Sequence, residues 1–148
     1  MNKIFAAIGV LLVLTGAYFT FRSATPLSDE AQITQNLDEA QSALEARSAA
    51  RVTKFLSKDF QIGDMNRKDF NSALAGAMWQ WRDVKLTRTG EKITVSGDGA
   101  TVTGLFKLRY SSTEGGTMET QAGAYTMHLR KEDGESKVLD VKGDGVRE

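Results

Sequence analysis

The residues of this sequence that could move a proton are few, and the first of them is His128. It is the only histidine in the 148-residue chain. In the alternating run of residues 123–129 it lies on the face opposite Tyr125 and Met127, so we expect it to point away from the core. A general base must face its substrate and be oriented by a second group. The simpler interpretation of His128 is therefore a histidine on the outer face of a strand.

Asp140 is the second candidate, because it interrupts an apolar stretch, residues 138–141. Turned into an apolar pocket, its carboxylate could act as a general acid or base, with Tyr110 or Tyr125 as a hydrogen-bond donor. If its two apolar neighbours point inward instead, Asp140 lies in solvent. The sequence shows no oriented acid–base pair, so we predict no catalytic residues. An enzyme that uses Asp140, Tyr110 and Tyr125 is the alternative.

The composition excludes several classes of site. There is no cysteine, which excludes thiolate catalysis, disulfides and cysteine-ligated metals. One histidine cannot form a zinc site without further carboxylates, and Gly97-Asp98-Gly99 lacks the spacing of a phosphate-binding loop. Lys and Arg total 19, as do Asp and Glu, so the net charge is zero and does not attract nucleic acid. We therefore expect no metal, no cofactor and no nucleic-acid partner.

Two features of the sequence could contact a membrane or a partner. Four basic residues recur at helical spacing: Arg47, Arg51, Lys54 and Lys58. Such a stripe could face anionic lipid headgroups or be a solvated helix face. Trp79 is the second feature, because a helix that continues past it would leave the indole exposed. We favour a helix that ends near residue 77, which would place Trp79 in the core.

The first half of the chain is predicted to be helical. Ser28 is a good N-cap, and two acidic residues follow it in the first turn of the helix. Apolar residues then recur at helical spacing from residue 33 to residue 44. A second apolar set occupies residues 52–56, and periodicity leaves open whether one helix forms or two, broken near residues 47–50. Asn66 could cap the next helix. The apolar stripe of that helix consists of Phe70, Leu74, Ala77, Met78 and Trp81.

From residue 83 onward the apolar period changes to two, which is typical of strands. Even-numbered residues from Val102 to Tyr110 and odd-numbered ones from Gly123 to Leu129 are predicted to face inward. Turn signals at residues 97–99, 115–116 and 132–135 separate the strands, and residues 137–142 form the last one. Helices followed by an antiparallel meander indicate an α+β fold. The inward residues predicted to line a pocket are Phe106, Leu108, Tyr110, Tyr125, Met127 and Trp81.

Residues 4–21 form an uncharged, apolar segment of 18 residues. As a helix it would span roughly 27 Å, close to the ~30 Å hydrocarbon thickness of a bilayer. We predict a single-pass membrane anchor with the domain outside the cytoplasm. A cleaved signal peptide, which would leave a secreted or periplasmic protein, is the alternative. The chain then divides into an anchor or signal (1–22), a linker (23–28), a domain (29–143) and a tail (144–148). The residues expected to contact lipid include Phe5, Leu11, Leu14, Tyr18 and Phe21.

Three stretches of the sequence resemble the nuclear transport factor two-like superfamily, also called SnoaL-like. They are Phe55-Leu56-Ser57-Lys58-Asp59-Phe60, Val95-Ser96-Gly97-Asp98-Gly99-Ala100-Thr101-Val102 and Lys137-Val138-Leu139-Asp140-Val141. The last strand departs from the family's pattern, because a tryptophan is usual where Ser136 or Lys137 stands.

The resemblance implies a strongly curved, cone-shaped sheet wrapped on helices, with a pocket inside the cone. Members of the family include isomerases, dehydratases and cyclases that use a pocket Asp or His. Others bind ligands or assemble, and some bacterial secretion components carry such a domain behind one transmembrane helix. Because fold alone decides no activity, we expect a membrane-tethered, non-catalytic module that binds a small apolar ligand or forms a homodimer through its sheet. An isomerase or dehydratase is the alternative.

Overall fold

A computed structural model of the chain describes residues 27–147. The predicted anchor at residues 4–21, and with it Phe5, Leu11, Leu14, Tyr18 and Phe21, lies outside this range. Within the range, no helix is both long and apolar enough to cross a membrane. The elements are α1 (Asp29–Glu45), α2 (Ala49–Thr53), β1 (Leu56–Ile62), β2 (Met65–Asn66), α3 (Arg67–Gln80), β3 (Val84–Ser96), β4 (Gly99–Tyr110), β5 (Glu119–Glu132) and β6 (Glu135–Arg147).

Helix α1 begins and ends through local hydrogen bonds. The Ser28 hydroxyl accepts from the Ala31 amide at 3.2 Å, as its N-cap position predicts. At the other end Arg47 has a φ of 56°, and the Ser48 amide donates back to the Ala43 carbonyl at 2.9 Å. This is a Schellman motif, in which a residue in the left-handed conformation lets the amides at the end of a helix bond to its last carbonyls. Residues 29–53 therefore form two helices and not one, a choice that periodicity left open.

The break at Arg47 also removes the predicted basic stripe. The five-residue helix α2 contains Arg51, whereas Lys58 belongs to strand β1. Arg47 donates to the Trp81 carbonyl at 2.7 Å, and Lys54 lies 3.6 Å from Glu39. The prediction of one helical stripe at Arg47, Arg51, Lys54 and Lys58 is therefore wrong, because the four residues do not share a helix.

The six strands form one sheet in the order β2-β1-β6-β5-β4-β3. Strands β3 to β6 are an antiparallel meander, as predicted, whereas β1 joins β6 in parallel. Two-residue turns connect β3 to β4 and β5 to β6; in the second, Asp133 and Gly134 both have positive φ, which suits the twist of a hairpin. Strand β6 runs to Arg147, so residues 144–147 are strand where a tail was predicted.

The predicted register of the sheet is confirmed. Val102 is fully buried while Leu105, on the other face, is 55% exposed, and Tyr125 and Leu129 are buried as expected. The inner face packs on α1 and on β1 to form the core. The buried core residues are Ile33, Leu37, Leu56, Phe60, Ala100, Val102, Tyr125, Leu129 and Val138.

Helix α3 extends beyond residue 77, where we expected it to end. Asn66 caps it by accepting from the Asp69 amide at 3.0 Å, and the helix continues to Gln80. Trp79 is consequently 80% exposed, so its predicted place in the core is wrong. Trp81 instead turns back toward the sheet, where its ring lies 4.9 Å from that of Tyr110.

Candidate functional site

A cavity of about 230 Å³ lies between the helices and the inner face of the sheet. Its surface is apolar throughout. Helical spacing in α1 turns Ile33, Leu37 and Ala40 to one side of it, and strand alternation brings Met127 and Val141 to the other. The remaining lining residues are Asn36, Val52, Phe55, Leu56, Phe60, Ile62, Phe70, Leu129, Ser136 and Val138. Such a cavity can bind an apolar group but presents no group for acid–base chemistry.

Of the six predicted pocket residues, Met127 lines this cavity. Phe106, Leu108, Tyr110 and Tyr125 share its sheet face but lie further along the strands, and Trp81 stacks on Tyr110 at that far end. The alternation of the strands therefore predicted the correct face but not the correct position along it. The position depends on where α1 and α3 cross the sheet, and period two carries no information about that.

Next to the cavity, the inner face of the sheet has no side chain at Gly143. This residue pairs with Tyr125, one side-chain row beyond the pair of Met127 and Val141. Gly143 is exposed, and a methyl group placed on it would touch nothing but the main-chain oxygen of Ala124, at 3.5 Å. Gly143 therefore adds no side chain to the inner face beside the cavity.

A polar cluster follows on the same face, made of Arg88, Glu91, Tyr125 and Asp38. The Tyr125 hydroxyl donates to Glu91 at 2.5 Å, and the ring of Tyr125 crosses Gly104, where any Cβ would lie 3.0 Å from its hydroxyl oxygen. Burial first, and then the hydrogen bond to Glu91, raise the pKa of Tyr125 well above its usual value of 10. Tyr125 therefore remains a protonated donor and cannot serve as a base.

Arg88 and Glu91 were not among the residues selected from the sequence. The Arg88 side chain is 11% exposed; its Nη2 lies 2.5 Å from Asp38 and its Nε 3.3 Å from Glu91. Residues three apart on a regular strand face opposite sides, so periodicity concealed the pair. The available signal was Gly90, because a glycine inside a strand often marks a bulge.

His128 and Asp140 form a pair that sequence reasoning missed. The Nδ1 atom of His128 lies 2.7 Å from Oδ1 of Asp140, and their side chains are 42% and 34% exposed. The two-residue turn of the β5–β6 hairpin would place Leu139 opposite His128 in a regular ladder. An irregularity between His128 and Leu129 shifts the register, so that Asp140 takes that place.

This pair lies on the outer face of the sheet. His128 points outward, as predicted, and Val138 and Val141 point into the cavity lining while Asp140 does not. The enzyme alternative placed Asp140 inside, near Tyr110 or Tyr125. That arrangement is not formed, because Asp140 pairs with His128 on the outer face. On the inner face, the Tyr125 hydroxyl donates to Glu91 and the Tyr110 hydroxyl donates to Glu119 at 2.9 Å.

Residues 27–147 contain no group of three or more His, Asp or Glu side chains arranged to hold a metal ion. The described residues therefore offer no ligand set whose chemistry would require a metal.

Comparison with known proteins identifies the fold. No protein-family model matches the sequence, and a comparison with curated proteins finds no match. Solved structures do match: a putative dehydratase of the NTF2-like family from Streptomyces avermitilis has a TM-score of 0.69 at 16% identity, over 82% of this chain and 99% of that one. The hexachlorocyclohexane dehydrochlorinase LinA-type3 from Novosphingobium barchaimii has a TM-score of 0.64 at 18% identity, over 78% and 85%.

A third match, Bd1075 from Bdellovibrio bacteriovorus, has a TM-score of 0.68 at 14% identity over 77% of this chain, which spans 40% of the length of Bd1075. At these identities the similarity shows the fold and not the activity. The chain therefore has the cone-shaped α+β fold of nuclear transport factor two-like proteins, among whose structures are enzymes and putative enzymes.

Proposed function

We propose that this domain binds a small, mainly apolar molecule inside the cone and does not transform it. The observation that carries the proposal is the cavity of about 230 Å³ with a fully apolar surface. An engineered protein cavity of about 150 Å³ with a comparable apolar lining stays dry and binds benzene. The cavity described above is large enough for a ring system of somewhat greater size.

The distribution of titratable groups supports binding over catalysis. His128 and Asp140 are oriented by each other, but on the outer face of the sheet. Inside the cone, Tyr125 is committed to Glu91 as a donor. A general acid or base has to reach the substrate it serves, and neither pair adjoins the apolar cavity.

The proposal is tested with a neutral fluorescent probe, N-phenyl-1-naphthylamine, titrated into the protein. We expect saturable fluorescence enhancement that Ala40→Leu weakens about tenfold or more, because the added isobutyl group fills the cavity. Ala31→Leu is the matched control, since Ala31 lies on the exposed side of the same helix. Equal affinity in wild type and Ala40→Leu would place the probe elsewhere, and absence of saturable binding would contradict the proposed function.

An enzyme of the dehydratase or isomerase type is the second candidate, favoured by the His128–Asp140 pair. With Nδ1 of His128 held by Asp140 at 2.7 Å, the Nε2 atom remains for proton transfer. A substrate would then bind on the outer face. We expect no turnover of β-hydroxy ketones or haloalkanes by the wild-type protein; measurable elimination that Asp140→Asn abolishes and Glu114→Gln does not would establish this candidate instead.

We also propose that residues 4–21 tether the domain to a membrane and that a second copy binds through the outer face of the sheet. Supporting the second point, Leu105 is 55% exposed and lies between exposed Thr103 and Lys107 and beside Ala124. Light scattering should give a dimer mass that Leu105→Glu converts to monomer, whereas Leu27→Glu, at another exposed leucine, should leave the dimer intact. A monomer at all concentrations would contradict this point.

A further inference from the structure

The Arg88 guanidinium carries donors that the protein leaves unused. Its Nε and Nη1 atoms are buried and have no hydrogen-bond partner among the described residues. A buried donor without an acceptor loses its water and gains nothing in return, and the penalty is larger for charged groups. Native proteins contain few such groups, and each calls for an explanation such as a bound water or ligand.

The neighbours of Arg88 are already engaged. Asp38 accepts from Nη2 at 2.5 Å. Glu91 lies 3.3 Å from Nε without forming a hydrogen bond, and its carboxylate accepts from the Tyr125 hydroxyl at 2.5 Å. The Nη1 atom, with two N–H groups, is therefore left without an acceptor among the described residues.

A bulge in strand β3 is what brings these groups to the inner face. The register with β4 shifts between Thr89 and Lys92, and Gly90 takes a φ of 64°, which a side chain would disfavour. As a result Arg88 and Glu91 both face inward although they are three residues apart. Bulges commonly re-aim side chains beside binding sites.

The cluster and the apolar cavity share one sheet face. Arg88 belongs to the cross-strand row of Phe106 and Gly123, and the row of Met127 and Val141 forms the cavity wall. These positions are two rows apart, which is about 14 Å along the strands at the usual rise per residue. The row between them contains Gly104, Tyr125 and Gly143, so glycines flank Tyr125 on both neighbouring strands.

The charges of the cluster select the chemistry of the ligand. With Asp38 and Glu91 ionised, two carboxylates face one guanidinium, and the three groups sum to one negative charge. A ligand carboxylate or phosphate would be repelled by them at close range. A neutral oxygen acceptor would satisfy Nη1 without adding charge.

Building on the ligand-binding function proposed above, we propose that the ligand is a neutral molecule with an apolar body and one oxygen acceptor, a carbonyl or hydroxyl group, that Nη1 of Arg88 binds. The apolar body lies toward the cavity and the oxygen toward β3. Arg88 thus determines which apolar molecules the cone selects.

The test compares three probes with the same eight-carbon chain: 2-octanone, octanoate and octylammonium, each displacing N-phenyl-1-naphthylamine. We expect 2-octanone to displace the dye at the lowest concentration. Arg88→Lys retains the charge and removes the forked donor, so it should weaken 2-octanone about tenfold or more, the loss typical of a hydrogen bond to a charged donor. The dye, which has no oxygen, should bind this variant as it binds wild type. Arg109→Lys, on the exposed outer face, is the matched control.

Two outcomes would overturn the inference while leaving the proposed function standing. Dye binding with 2-octanone affinity unchanged in Arg88→Lys would show that Arg88 does not bind the oxygen. Tighter displacement by octanoate than by 2-octanone would show that the site selects anions. Absence of dye binding to wild type would contradict the proposed function itself, and the inference with it. Arg88→Met, read by the same dye titration, separates loss of the donor from any effect of the lysine.

Discussion

Single residues in this domain are held by networks that join distant parts of the chain, and Glu132 is an example. The fully buried Ser57 hydroxyl donates to its carboxylate, and Arg130 Nη2 reaches it at 3.0 Å. The same Arg130 atom binds Asp59 at 2.7 Å. The network therefore links β1 to the end of β5, where strand β1 has joined the sheet from a distant part of the sequence.

The Glu132 network makes stability depend on acidity. The hydrogen bond from Ser57, then that from Arg130, lowers the pKa of Glu132 from 4.5 to about 2. A group whose pKa is lower in the folded state stabilises the fold fully above its ordinary pKa, and this stabilisation is lost as the pH falls toward the folded value. We expect Glu132→Gln to reduce the free energy of unfolding at pH 7 by roughly 1–3 kcal/mol.

This difference between wild type and Glu132→Gln should shrink as the pH is lowered from 5 to 2, which urea denaturation at each pH would measure. Glu114→Gln, in an exposed loop, is the control and should match wild type throughout. A stability difference that stays constant across this pH range would mean that the ionised carboxylate is not the source.

At the scale of elements, helix α1 covers the edge strand β3 of the sheet. The Gln41 amide donates to the Leu86 carbonyl at 2.9 Å, and the Leu86 amide donates to Glu45 at 3.0 Å. These bonds satisfy main-chain groups on the free side of β3, which protects an edge strand from pairing with another chain. Helix α1 thus holds β3, and with it Arg88 and Glu91, over the interior.

The two faces of β4 should respond differently to truncation. Phe106 packs against the core, so Phe106→Ala should cost about 2–4 kcal/mol through lost transfer energy and the cavity it leaves. Leu105 is 55% exposed, and Leu105→Ala should cost less than about 1 kcal/mol. Chemical denaturation of the two variants measures the difference. A larger loss of stability for Leu105→Ala than for Phe106→Ala would show that the assigned register is wrong by one residue, and with it every inward assignment.

At the scale of the whole molecule, the start of α1 and the exposed Trp79 lie at opposite ends. Asp29 is bound to Lys131, near the β5–β6 hairpin, at 2.9 Å, whereas Arg47, past the other end of α1, contacts Trp81. A helix of 17 residues is about 25 Å long. If residues 4–21 span a bilayer, the six residues to Leu27 reach at most about 21 Å. The hairpin end would then be nearer the membrane than Trp79.

The proposed membrane tether predicts that the full chain sediments with membranes and resists extraction at high pH. Leu12→Arg should release it, because an arginine at the centre of the segment costs roughly 2.5–3.5 kcal/mol of insertion. Leu27→Arg, at an exposed position, should remain with the membrane. Recovery of the unaltered chain in the soluble fraction, with its N-terminus intact, would contradict the tether; recovery of a shortened chain would identify a cleaved signal.

Much of the architecture could be predicted from the sequence, because its causes are local. Ser28 and Asn66 cap helices since their side chains accept from amides three residues away. The Gly97-Asp98 and Asp133-Gly134 turns follow from backbone conformations that these residues tolerate. The alternation of β4 and β5 assigned Val102 and Tyr125 to the interior, since a period of two needs no knowledge of any other strand.

The tertiary structure alone decided where the site lies. The parallel pairing of β1 with β6, and the bulges at Gly90 and Leu139, depend on contacts between strands far apart in sequence. One extra residue in a strand exchanges its faces. The bulge at Gly90 turned Arg88 and Glu91 inward together, and the one at Leu139 placed Asp140 beside His128 on the outside. Residue types determined which groups could do chemistry, and the register between strands determined which of them meet.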